Sequence, residues 1–99
     1  MIAVLTLELR IEGAHSLKDK RQCVRSLKDK LRVSFNVAVA ELDPSDLWQR
    51  ATVGVVSLSD SKDYLVGLME KVERAATRIA NNAGGEVVDS FVNYLEENQ

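Results

Sequence analysis

The chain has 99 residues, 45% of them hydrophobic and 28% charged, values that suit one globular domain over residues 1–99 with its own core. A single cysteine, Cys23, excludes an internal disulfide and a cysteine-rich metal site, and no run reaches the roughly 20 apolar residues that a membrane-spanning helix requires. The formal charge of −2 hides an asymmetry: His15–Arg32 holds seven basic and two acidic residues, a net +5, while the rest holds six basic and thirteen acidic, a net −7.

In chain order, Ala3, Leu5, Leu7, Leu9 and Ile11 alternate with Thr6, Glu8, Arg10 and Glu12, which predicts a half-buried strand. Glu8 and Arg10 break the apolar start, so no secretory leader is expected. With one unpaired thiol, a soluble, cytoplasmic setting is expected. Gly13-Ala14-His15 ends the strand, and Leu17 to about Arg32 has helical spacing. Phe35–Leu42 and Ala51–Leu58 are β-rich, and the turn signal Asp43-Pro44-Ser45-Asp46 between them predicts a hairpin. Asp60 with Asp63 resembles a capping box, and Leu65, Leu68, Val72, Ala75 and Ile79 follow at helical spacing to a stop at Asn81–Gly85. Val87–Leu95 is a last strand, with Val87, Phe91 and Leu95 expected on one face and Val88, Val92 and Tyr94 on the other. The order β-α-β-β-α-β predicts an α+β, ferredoxin-like split βαβ plait: a four-stranded antiparallel sheet with two helices on one face.

The pentapeptide SLKDK occurs twice, ten residues apart, at Ser16 and Ser26. At about 100° per residue the second copy is rotated by about 80° from the first and lies inside the helix. It repeats no structural role. Ser16 is the expected N-cap with Asp19 as its partner. Leu17, Val24, Leu27 and Leu31 form an apolar stripe with Cys23 at its margin. Lys18, Arg21, Arg25, Lys28 and Arg32 form a basic stripe beside it, at steps of three and four. Such a row is either a solvated face with its stems laid along the protein or a docking face for a phosphate backbone or an acidic protein. Lys20 falls inside the apolar arc at the first turn. It is expected either to pair with a carboxylate such as Glu41 or to hold an anion at the helix N-terminus. His15 stands alone in a loop.

Ser16–Arg21 (SLKDKR), Phe35–Glu41 (FNVAVAE) and the group Asp46, Trp48-Gln49-Arg50-Ala51 resemble the YlxP-like family, a bacterial domain of unknown function, over essentially the whole chain. Ala38 stands where a serine is more usual. The resemblance implies a ferredoxin-like fold and a cytoplasmic bacterial protein. It also implies an association with translation, because genes of relatives often neighbour those of initiation and ribosome maturation factors. It supplies no catalytic residue and no cofactor.

Absences prune the function classes further. The first strand and Ala51–Leu58 contain no aromatic residue, so base stacking on the sheet is not expected. No P-loop, nucleophile elbow or zinc-protease motif is present, and no catalytic constellation, metal site or cofactor is expected. What remains is a non-enzymatic binding protein. It would contact RNA or a ribosomal particle through Lys18, Lys20, Arg21, Arg25, Lys28 and Arg32, or act as a protein-interaction module or a small-ligand regulatory domain. A homo-oligomer, most simply a dimer, is expected, because the sheet has one side without helices, and Ile2 and Val4 add apolar groups there. Its candidate interface residues are Val88, Val92 and Tyr94 on the last strand, with Trp48 and Arg50, a pair of types enriched in hot spots.

Overall fold

The computed structural model describes residues 1–42 and 47–96. The elements are β1 (Ile2–Arg10), α1 (Leu17–Ser34), β2 (Ala38–Leu42), β3 (Arg50–Leu58), α2 (Lys62–Asn82) and β4 (Glu86–Leu95). They build one antiparallel sheet in the order β2-β3-β1-β4, the expected α+β plait. The proposed turn at Asp43–Asp46 lies outside the described residues.

β1 and β3 are the inner strands, and β1 pairs with β3 on one edge and with β4 on the other. Ala3, Leu5, Leu7 and Leu9 are buried, while Val4, Thr6 and Glu8 face the other way. Val39, Ala51, Val53 and Val55 extend the buried side across β2 and β3. Leu27 and Leu31 of α1 and Leu65, Val72 and Ala76 of α2 complete the same core cluster. Both helices therefore cover one face, and the other is left open.

The helix ends are set by local chemistry. The Asp19 amide donates to Ser16 Oγ (3.2 Å), and Asp19 Oδ2 accepts from the His15 amide (2.9 Å). This is a capping box whose return bond reaches one residue before the cap. α1 runs two residues past the expected end, to Ser34, and β2 starts at Ala38 instead of Phe35. The helix absorbs Val33, which is 88% exposed and makes no demand for a sheet. Phe35, in extended conformation, caps the helix and packs on the core.

The start of α2 also differs from expectation. Ser61, not Asp60, is the N-cap, accepting from the Tyr64 amide at 3.2 Å. A hydroxyl and a carboxylate cap comparably well, so the register of the first apolar residue, Leu65, decides. The expected stop holds: Gly84 adopts φ +86° and the Gly85 amide returns to the Ala80 carbonyl, a six-to-one closure. A side chain at Gly85 would come within 2.9 Å of Cys23 Sγ, so this turn packs directly on α1.

The faces of β4 need a correction. A bulge opposite Glu8 and Leu9 breaks the alternation, so Val87 pairs with Leu9 on the helix side. Phe91 pairs with Thr6 and Leu95 with Ile2, on the open side. Val92 and Tyr94 lie across from Leu5 and Ala3, toward the helices, and Val88 falls at the bulge. The apolar groups of β4 on the open side are therefore Phe91 and Leu95.

Candidate functional site

The basic stripe forms on α1 as its spacing requires. Lys18, Arg21, Arg25 and Arg32 are exposed and Lys28 is half-buried. Among the described residues, Lys18, Arg21, Arg25 and Lys28 enter no ion pair. A surface cleft of about 330 Å³ runs between α1 and β2, lined by Arg21, Val24, Arg25, Lys28, Asp29, Arg32 and Glu41. It presents four cations against two carboxylates.

Two members of the expected site are already engaged. Arg32 donates to the Val39 carbonyl at 2.7 Å and lies 4.0 Å from Asp29. It ties α1 to the edge of β2, where a carbonyl would otherwise meet water. Lys20 is 3% exposed, and its Nζ lies 3.4 Å from Glu41 Oε2. Of the two roles open to it from the sequence, the structure shows the structural pair. Its ammonium is turned inward, away from the stripe. The free part of the site is therefore Lys18, Arg21, Arg25 and Lys28, with Arg32 as a positioned neighbour.

Like charges three or four apart on a helix destabilise it by about 0.2–0.5 kcal/mol per step. The stripe makes four such steps, Lys18–Arg21, Arg21–Arg25, Arg25–Lys28 and Lys28–Arg32, and among the described residues only Arg32 of the row has a carboxylate within 4.0 Å. The row thus costs α1 about 1–2 kcal/mol if it stands alone.

The other candidate residues lie elsewhere. Trp48 is 48% exposed and, with Leu47, Gln49 and Arg50, borders a surface hollow of about 470 Å³. It stays outside the core cluster. Arg50 opens β3 across from Arg10, and the Gln49 carbonyl accepts from the Ile11 amide at 2.8 Å. Tyr94 is half-buried, with Lys62 Nζ 5.4 Å from its ring centre. Cys23 is buried, and burial pushes its thiol up from the ordinary value. Its side chain packs as a small hydrophobe. From the sequence, Ile2 and Val4 mark the open sheet side, but not its full extent. Its signal was the apolar out-facing set Ile2, Val56, Leu58, Phe91 and Leu95, legible only once the β4 register is known.

Among the described residues no helix is long and apolar enough to cross a membrane. Comparison with known proteins agrees with the fold. The chain is 34% identical to the uncharacterized protein YlxP of Bacillus subtilis (strain 168) over 62 residues, 63% of this chain and 67% of that one. It is similar in structure to the de novo designed protein Foldit4, with a TM-score of 0.59 and 15% identity, over 97% of this chain and all of the other. It is also similar to a C-terminal segment of the alpha subunit of aIF2 from Pyrococcus abyssi, with a TM-score of 0.54 and 12% identity. That match takes in 99% of this chain and 52% of that one, so the chain spans about half of the solved segment. At these identities the two solved structures show the fold alone. The model of the family described as "Protein of unknown function (DUF503)" matches residues 2–92, and the chain belongs to that family.

Proposed function

We propose that the chain is a non-enzymatic, cytoplasmic binding domain that docks the exposed basic face of α1 on the phosphate backbone of structured RNA, such as that of a ribosomal particle. The observation that carries this reading is the basic row Lys18, Arg21, Arg25 and Lys28, which among the described residues forms no ion pair. A helix that only needed solubility would interleave acids, as α2 does with Glu70, Lys71, Glu73 and Arg74. Phosphate contacts of this kind position a protein without reading sequence. The net negative charge is no obstacle, because physiological salt screens beyond about 8 Å and the local face dominates.

The test is a salt titration of binding to a ribosomal RNA fragment. Affinity should fall linearly on logarithmic axes with a slope of roughly 0.9 per phosphate neutralised, hence about three to four for this row. A slope near zero, or no binding at low salt, removes the reading.

Self-association is a second reading, favoured by a separate observation. The sheet side that the helices leave open exposes large apolar side chains from all four strands, and such a patch marks an interaction surface. The parent's mass at micromolar concentration by light scattering tests it; twice the 11.0 kDa of the chain is expected.

A further inference from the structure

We infer that two copies of this chain meet sheet face to sheet face, and that the particle so formed carries one basic α1 stripe on each of its two outer sides. The inference rests on the self-association reading and adds its geometry and its consequence.

Three observations select the face over an edge. Ile2, Leu42, Val56, Leu58, Phe91 and Leu95 are exposed, come from four strands, and share the open side by register. Pairing β4 with β4 at the sheet edge would leave Ile2, Leu42, Val56 and Leu58 in water. Both edges are also blunted. β4 carries the bulge with Glu86 and Asp89 beside it, and β2 is five residues long with its Val39 carbonyl taken by Arg32. Bulges, charges and short strands are the devices that discourage edge pairing.

Charge and area fit a second copy. The charged groups of the open side, Glu8, Arg10, Arg50, Glu86 and Asp89, gather at one end, with both signs present. The remaining rows, from Leu58–Ile2–Leu95 to Gly54–Thr6–Phe91, are uncharged. A copy turned about an axis along the strands sets uncharged rows on uncharged rows and keeps the charged rows together at one rim of the contact. β1 and β3 have nine residues each. At about 3.3 Å per residue and about 4.8 Å between strands, the face measures roughly 30 by 19 Å, or about 1,100 Å² over two copies. Stable interfaces begin near about 1,200 Å², so the contact is a weak, concentration-dependent dimer. Aligned sheets of this kind pack about 10 Å apart. The helices then become the two outer layers, and α1 of each copy stays free to bind.

Sedimentation equilibrium of the full chain across the micromolar range tests the arrangement. The parent should approach twice the chain mass. Phe91→Asp and, separately, Leu58→Asp should each weaken the dimer by about tenfold or more, while Val88→Asp at the β4 edge leaves it unchanged. Circular dichroism and thermal unfolding report folding. Leu58 is 74% exposed, so its variant carries the test should Phe91→Asp not fold. A parent that stays at the chain mass throughout overturns self-association itself. A dimer that Val88→Asp dissociates and the face variants do not, or one that none of the three affects, overturns the face-to-face arrangement and leaves self-association standing.

Discussion

At the residue scale the clearest feature is the pair Lys20–Glu41, which joins the first turn of α1 to β2 across 3.4 Å. The two partners are not equivalent. Glu41 keeps some access to water, whereas Lys20 is buried. Glu41→Ala, which removes one contact of a buried ammonium, should therefore cost about 1–3 kcal/mol, and Lys20→Met, which removes the charge itself, about 1 kcal/mol or less. Chemical denaturation of the two variants checks this order, and equal costs would contradict it. Cys23 makes a second prediction. Burial raises its thiol pKa, so the folded chain holds that proton where the unfolded chain releases it. The stabilisation is complete below the unfolded value of about 8.5 and is lost as pH rises above it. Cys23→Ala should flatten this alkaline decline in melting temperature, and alkylation of the native thiol should be slow until the chain unfolds. The Lys20–Glu41 pair was legible from sequence because a lysine in an apolar arc demands an acceptor. The engagement of Arg32 was not, because it depends on where tertiary packing puts the Val39 carbonyl.

At the scale of elements, β1 and α1 could be read from periodicity because each has one buried face, and a clean pattern follows from that. β4 could not. Val87, Val88, Phe91 and Val92 are apolar on both sides of an ideal strand, and nothing in such a run marks the bulge that moves Val87 to the helix side. The start of α2 was ambiguous for a similar reason, since Asp60 and Ser61 are both good caps. The structure separates them: Ser61→Ala should cost about 1 kcal/mol, and Asp60→Ala less than about 0.5 kcal/mol. Equal effects in thermal unfolding would reverse the assignment. The basic row makes a different kind of prediction. If it is strained by its own repulsion, Arg25→Gln should stabilise the free protein by a few tenths of a kcal/mol (about 0.3–0.8) while weakening its binding to RNA. A gain in stability with loss of binding is the signature of a row kept for a partner. A variant that loses stability would show the arginine to be structural.

At the scale of the whole molecule the chain presents two contrasting surfaces. The open side of the sheet is apolar and neutral through most of its length. The α1 side is basic, although the molecule is acidic overall. The central claim is that the α1 side binds a phosphate backbone, and charge reversal tests it most directly. The Arg21→Glu/Arg25→Glu double variant is compared with Lys71→Glu/Arg74→Glu, an equal change of charge on exposed positions of α2, in co-sedimentation with ribosomal particles and in direct binding to ribosomal RNA. The α1 variant should keep the parent's far-ultraviolet circular dichroism and lose about a hundredfold or more in affinity, while the α2 variant binds like the parent. Equal binding by both variants, or equal loss in both, would contradict that claim.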